Sequence, residues 1–431
     1  MKDQRAHQGR RVSHASPFLF VLRQAPARGE RAVTMVKKVR IVAAVAVALV
    51  LVMTGVFFFL PARADRQLNP VLVPPPYQVS ERAQRLHRTL LVADLHADSL
   101  LWDRDLLVKN TRGQVDIPRL VEGNVALQAF TIVTKVPRGL NYESNSDQSD
   151  MITLLAVLER WPVATWASLK ERAVHQARRL NAIASRSQGK FVVIRTAADL
   201  RSYVARRQQE SGMTAGLLGV EGAHALEGDL ANIDEFFDSG IRMMAPTHFF
   251  DNDIGGSAHG LRKGGLTGKG KEMIRRMQAR HMIVDLAHAS SKVFEDVLSL
   301  ATLPVVVSHT GVKGTCDNAR NITDEQIRGI ARTGGVIGIG YWENAVCGKD
   351  TKAIARAIRH TAEVGGVEHV ALGSDYDGRV TVPFDTSGVG KVTEALIDAG
   401  FSDQEIRLVM GANVLRVLAE TLPQPDLKND K

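Results

Sequence analysis

The sequence predicts an α/β protein: a closed (β/α)8 barrel of the TIM type, preceded by one N-terminal transmembrane helix or signal anchor. Three observations lead there. One stretch of twenty residues carries no charge; after it, eight short apolar runs alternate with longer amphipathic or polar stretches; and His or carboxylate residues recur where those runs end. With 431 residues, 45% hydrophobic and 23% charged, the chain can bury a sizeable core, and disorder is excluded as its main state.

Lys and Arg number 55 against 46 Asp and Glu, a formal net charge of +9. The excess is local. Residues 1–40 hold ten basic residues and two acids, so +8 of the charge precedes residue 41 and the rest of the chain is almost neutral. With aromatics at 5%, there is little from which to build a basic groove with base-stacking rings, and no nucleic-acid partner is expected. Residues 41–60, IVAAVAVALVLVMTGVFFFL, are long enough to span a bilayer. Lys37, Lys38 and Arg40 before them place the basic segment 1–40 in the cytoplasm and everything after Leu60 across the membrane. Ala62-Arg63-Ala64 has the small-x-small form that signal peptidase accepts, so the segment reads either as an uncleaved anchor or as a cleaved signal. Met35 opens a compact basic-then-apolar signal of its own, which makes residues 1–34 a candidate mis-assigned start. Residues 61–78, with five prolines, read as an extended spacer ahead of a domain at 79–425. Cys316 and Cys347 are too few for a disulfide scaffold or a Cys-rich zinc site, but an exported domain can join them in one bridge.

The candidate strands are 91–96, 125–133, 215–220, 242–247, 282–287, 304–308, 335–340 and 369–374. Helices are expected at 269–280, 291–300, 324–332 and 352–364, with a final one over 403–420. Eight such units in about 350 residues suit a closed barrel better than an open doubly wound sheet. No GxGxxG or GxxxxGK[ST] opens any of these helices, which argues against nucleotide-dependent chemistry. The stretch 134–214 holds helical material (151–161, 165–185) and a polar loop (143–150), an elaboration after the second strand. No internal repeat is evident.

A barrel enzyme keeps its chemistry at the carboxyl ends of its strands. There this sequence places His96 and Asp98, Glu221, His248, His288, His309 and Asp375. The two-residue spacing of His96 and Asp98 aims both to one side of an extended chain. Each has an ordinary explanation alone: a hydrogen-bonded core histidine, or a helix cap for Asp375. Their shared position at the same end of the strands does not. His, Asp and Glu without thiolates suit zinc, manganese or cobalt, and three His with two carboxylates can hold two ions. The natural partition gives one ion His96, Asp98 and one oxygen of Glu221, and the other His288, His309 and the second oxygen. Two cations so bridged polarise a carbonyl and generate hydroxide near neutral pH, which is hydrolytic machinery. Asp375 is then placed for proton transfer, His248 to donate to a developing oxyanion, and Arg320 to bind a substrate carboxylate.

The segments Asp94-Leu95-His96-Ala97-Asp98, Val115-Asp116-Ile117-Pro118-Arg119-Leu120, Gly219-Val220-Glu221-Gly222, Thr247-His248, Gly265-Leu266-Thr267, Val284-Asp285-Leu286-Ala287-His288, Val307-Ser308-His309, Ala319-Arg320-Asn321 and Gly373-Ser374-Asp375-Tyr376-Asp377-Gly378 together resemble the membrane (renal-type) dipeptidases. The likeness runs from about residue 83 to 418 in both order and spacing. It implies a (β/α)8 zinc hydrolase in which His96, Asp98, Glu221, His288 and His309 bind two Zn2+ ions, Asp375 moves protons, and His248 and Arg320 contact substrate. It also implies a disulfide between Cys316 and Cys347, about where animal relatives have one. The family commonly reads H-N-D where this chain has His96-Ala97-Asp98, and E-G-G where it has Glu221-Gly222-Ala223; neither change removes a ligand. Residues 134–214 and 249–264 match poorly, so the dipeptide preference is the least determined property.

The expectation is a membrane-anchored or secreted zinc dipeptidase, its barrel on the extracytoplasmic side, cleaving L,L- and also L,D-dipeptides through a metal-bridged hydroxide. Its expected partners are dipeptides, the membrane and, as a candidate assembly, a second copy in a homodimer. Two alternatives stay open: another binuclear-metal amide hydrolase, such as an N-acyl amino acid deacylase or a lactamase, and an inactive surface-binding barrel.

Overall fold

Runs that are apolar without alternation become parallel strands covered on both faces. In the computed structural model, which describes residues 28–210 and 212–424, the strands β1 (Val92–Ala97), β2 (Val125–Ile132) and β4 (Thr214–Val220) are buried at every position. The others are β3 (Phe191–Val193), β5 (Ile241–Met244), β6 (Ile283–Val284), β7 (Val306–Thr310), β8 (Val336–Ile339) and β9 (Val370–Leu372). All pair in parallel, in the order β6-β5-β4-β2-β1-β9-β8-β7. A parallel bridge between Asp285 and Val306, with the Leu286 N–H donating to the Val306 carbonyl at 2.8 Å, joins the two ends of that order and closes the barrel.

Each of the eight expected strands is present, several shorter than expected; 282–287 contracts to Ile283–Val284. The ninth, β3, was not anticipated. It pairs with residues 214–216 of β4, while β5 pairs with 218–220, so the two lie end to end along one edge of β4. The elaboration at 134–214 also contains the unanticipated helix Ala197–Gln209, started by a reciprocal Thr196–Asp199 capping box.

Barrel-facing residues of the strands, among them Leu95, Leu127, Leu217, Met243, Ile283, Val306 and Val336, form one apolar cluster with Val414, Val417 and Leu418 of the last helix, Asn413–Thr421. Asn413 of that helix donates to the carbonyls of Val367 and Val370, at the start of β9. The last helix therefore closes the amino-terminal end of the barrel and leaves the carboxyl-terminal end for chemistry.

The described residues divide into two compact units, one up to Gly55 and one from Val56 onward. In the first, the only described helix long and apolar enough to cross a membrane, Ala32–Leu68, begins. Residues 1–27 of the expected cytoplasmic segment and residue 425 of the expected domain lie outside the described residues. The stretch 61–78 departs from an extended spacer. Helix continues through Pro61 to Leu68, Ala64 and Leu68 pack against the cluster of Leu101, Trp102 and Trp161, and Val71 then pairs with Val382.

Cys316 and Cys347 form a disulfide between the loops that follow β7 and β8, with their Cα atoms 5.3 Å apart. Loop-closure entropy for a separation of 31 residues amounts to about 3–4 kcal/mol of stability. Replacing both cysteines with serine is expected to lower the unfolding free energy of the oxidised protein by that order in urea denaturation. An unchanged midpoint would refute this.

Candidate active site

The groups expected at the strand ends gather around one cavity of about 270 Å³, lined by Asp98, Glu221, His248, His288, His309, Arg320 and Asp375, with His96 buried behind it. His96 lies within β1 and His309 within β7; the others follow the ends of their strands. Asp98 has left the extended conformation (φ −90°, ψ 29°), yet its Oδ1 is 3.4 Å from His96 Nε2. A turn at the strand end, rather than the two-residue repeat of a strand, brings the pair together. His288 and Asp375 both sit in the left-handed region, at φ 63°. A Cβ at Gly378 would come within 2.1 Å of Asp375 Oδ1, so only glycine leaves room for that carboxylate.

Glu221 is the hub. Its Oε1 lies 3.0 Å from His288 Nε2, 3.4 Å from His309 Nε2 and 3.7 Å from His96 Nε2, and its Oε2 lies 3.2 Å from His248 Nε2. The Nε2 atoms of His288 and His309 are 3.1 Å apart, and Asp375 Oδ1 is 3.8 Å from His96 Nε2. Three sets of potential ligand atoms each fall within 4.8 Å of one another: His96, Asp98 and Glu221; Glu221, His248 and His288; and His96, His309 and Asp375. The first is a set expected from the sequence. The second includes His248, expected to donate to the oxyanion and contact substrate, and the third includes Asp375, expected to move protons; His288 and His309 face the same Glu221 oxygen as His96 rather than the other one.

This donor set fits divalent cations. His96 Nε2 is buried and makes no hydrogen bond among the described residues, while three carboxylates face it within 3.8 Å. Buried like charges at that density need compensating positive charge. Nitrogen and oxygen donors without thiolates match zinc and its neighbours.

The electrostatics follow from burial. It pushes Glu221 well above the usual carboxylate range, with Asp98 adding to the effect, and takes Asp375 up to about 7 against the opposing His96. Burial would lower His96, but the Glu221 and Asp98 carboxylates outweigh it and raise that imidazole to about 10. His248, His288 and His309 are pushed well below the ordinary range by burial, then by positive neighbours that include Arg320. They are therefore neutral imidazoles with a lone pair to offer.

A surrounding layer fixes these orientations, and the sequence reading missed it. The Ser308 hydroxyl lies 3.2 Å from His96 Nδ1 and 3.0 Å from His309 Nδ1, steadying two imidazoles at once. Thr131 donates to Asp98 Oδ1 at 2.6 Å. Asp94 accepts the N–H groups of His96 and Ser374, and Asp285 those of Ala287 and Ser308. Asp94 and Asp285 were visible as carboxylates inside apolar runs. Tyr142, Phe249 and Arg379, which also line the cavity, were not singled out by any such signal.

Arg320 is buried, donates through Nη2 to the His309 carbonyl at 2.8 Å, and makes no ion pair among the described residues. Its guanidinium lies over the Trp342 ring, 5.4 Å from the centroid.

Residues 80–426 match the membrane dipeptidase family, peptidase family M19. A dipeptidase of Claviceps purpurea, tcpJ, is 29% identical over 331 residues, covering 74% of this chain and 72% of that protein. Among solved structures, the metallopeptidase dipeptidase AC superposes with a TM-score of 0.65 at 24% identity, covering 77% of this chain and 99% of the other. A metallopeptidase of Rhodobacter sphaeroides, solved with a phosphinate mimic of the dipeptide L-Ala-D-Ala, does so with a TM-score of 0.63 at 24% identity, covering 77% and 99%. A family match across most of the chain, on a barrel that gathers imidazole and carboxylate groups around one cavity, makes this protein a member of the membrane dipeptidase family and a metal-dependent dipeptidase.

Proposed function

We propose that the enzyme hydrolyses free dipeptides, L,L and L,D alike, at a centre of two zinc ions bridged by Glu221. His96 and Asp98 would complete the ligands of one ion, and His288 and His309 those of the other. The observation that supports this reading is the gathering of four imidazoles around one buried carboxylate, those of His96, His288 and His309 at Oε1 and that of His248 at Oε2. When bound, the two ions supply Lewis acidity toward the scissile carbonyl and bring water ionisation to near neutral pH.

The chain's own residues do the rest. Asp375 accepts the proton of the attacking water and delivers it to the departing amine. His248, neutral because it is buried, presents an N–H to the carbonyl oxygen as that atom gains charge. Arg320, with no acidic partner among the described residues, binds the substrate's terminal carboxylate. The cavity, at about 270 Å³, is below the roughly 300–1,000 Å³ of sites for drug-sized ligands and suits a substrate of two residues. The L-Ala-D-Ala mimic bound by the Rhodobacter sphaeroides relative supports extending the substrates to a D-residue on the carboxyl side.

The apolar helix, with Lys37, Lys38 and Arg40 on its amino side, supports an anchored or secreted enzyme whose barrel, residues 79–425, is extracytoplasmic. A disulfide fits an oxidising compartment.

The test is a hydrolysis screen of L,L- and L,D-dipeptides, N-acyl amino acids and β-lactams with zinc supplied. Turnover of acyl amino acids or β-lactams in preference to dipeptides would replace this reading. Arg320→Met is expected to raise KM for free dipeptides at least about tenfold more than for their carboxamides, the loss of roughly 1.4 kcal/mol or more from a charge-assisted pair. Equal effects on both would show that Arg320 does not hold the carboxylate.

A further inference from the structure

The turn after β9 carries three alternate residues, Asp375, Asp377 and Arg379, all at φ 63°. The left-handed region is unfavourable for any residue with a side chain, so such a turn persists only where its surroundings over-determine it. Asp377 is the fixed point. It is fully buried, and its carboxylate accepts from the Ser99 hydroxyl at 2.6 Å and the Gln114 N–H at 2.7 Å. The carboxylate also pairs with Arg104 Nη2 at 2.6 Å, while its carbonyl accepts the Trp102 indole N–H at 2.8 Å.

Arg104, equally buried, has a second carboxylate within reach, and it comes from far upstream. Asp65 Oδ2 lies 3.3 Å from Arg104 Nε and 2.9 Å from Arg112 Nε. One turn of helix later, Asn69 donates to Asp65 Oδ1 at 2.9 Å and offers its own side-chain oxygen to the Arg379 N–H, also at 2.9 Å. Residues 65–69 thus hold the turn twice: by charge, through Arg104 to Asp377, and by a hydrogen bond to the backbone at Arg379. Two buried carboxylates are balanced by two guanidinium groups, and removing one charge leaves its partners uncompensated.

We propose that Asp65 and Asn69 are positioning residues for the turn that carries Asp375, so that the segment leading out of the apolar helix is a component of the active site rather than a tether. This rests on the reading of Asp375 as the proton-transfer group. Cleavage after Ala62-Arg63-Ala64 would leave Asp65 as the first residue, so both expected fates of the apolar segment keep the pair.

The test uses the full-length chain in detergent micelles with zinc, L-Ala-L-Ala as substrate, and amide hydrogen exchange of residues 375–379 as a readout independent of turnover. Asp65→Asn and Asn69→Ala are each expected to lower kcat tenfold or more with KM within threefold of wild type, and to speed exchange in the turn at least tenfold. Asp65→Glu, which restores the charge, should recover most of the rate. A kcat within twofold of wild type, or exchange that stays at the wild-type rate, overturns the proposal. Should Asp65→Asn fail to fold, Asn69→Ala, which leaves the charges in place, carries the same two readouts. Wild-type enzyme that turns over no dipeptide would defeat the dipeptidase reading instead, and exchange alone would then decide whether residues 65–69 hold the turn.

Discussion

Glu221→Ala is expected to release both of the proposed ions and to lower turnover at least about 10³-fold, equivalent to roughly 4 kcal/mol of transition-state stabilisation. Among the described residues, the carboxylate is the one acid paired with His96, His248, His288 and His309 together. Without it the proposed centre loses the carboxylate that would link its two ions. The metal-free fold should not suffer, because burial already works against the charged form of Glu221 and its removal relieves repulsion with Asp98 and Asp375. Metal analysis, a dipeptide assay and a thermal melt of the metal-free protein separate these effects. Two tightly held ions in the variant, or activity within tenfold of wild type, would falsify the bridging role.

Asp375→Asn is expected to retain the ions and lower kcat by about 10²–10⁴-fold, the usual contribution of a positioned proton-transfer group. The pH dependence has a definite sign. A base works in its ionised form, so activity rises as pH climbs through the pKa of Asp375 and falls away in acid. Burial raises that group to about 7 in the metal-free site, and nearby cations favour the carboxylate, so the acid limb of the active enzyme should lie below neutrality. In Asp375→Asn the limb attributable to this group should vanish. A variant that keeps both its rate and its acid limb would show that the proton goes elsewhere.

Much of this architecture was legible in the residues, for a physical reason. Parallel barrel strands are covered on both sides and so read as unbroken apolar runs, as VALQAFTI in β2 and TAGLLGV in β4 do. The closed barrel then brings scattered chemistry together, so the residue types at the strand ends could be named without coordinates. What escaped is what depends on tertiary contacts. Phe191–Val193 is too short to carry a periodic signal. Ala197–Gln209 is rich in Arg and Gln, and only Ala197, Leu200 and Tyr203 are buried. The prolines of 61–78 suggested an extended spacer, but packing of Ala64 and Leu68 against Leu101 and Trp102 keeps helix through Leu68. Within the site, H-x-D spacing foretold that His96 and Asp98 meet, though not the turn by which they do. Nothing in the sequence disclosed that Ser308 would serve two imidazoles.

With its lower end covered by Asn413–Thr421 and its interior filled by strand side chains, the described barrel holds its catalytic cavity at the carboxyl-terminal end of the strands. Both amino acids released by each cut are therefore set free at the end of the barrel where the dipeptide binds. An amino acid whose carboxylate pairs with Arg320 would occupy that cavity, so accumulated products should slow the enzyme even when none of them binds the ions.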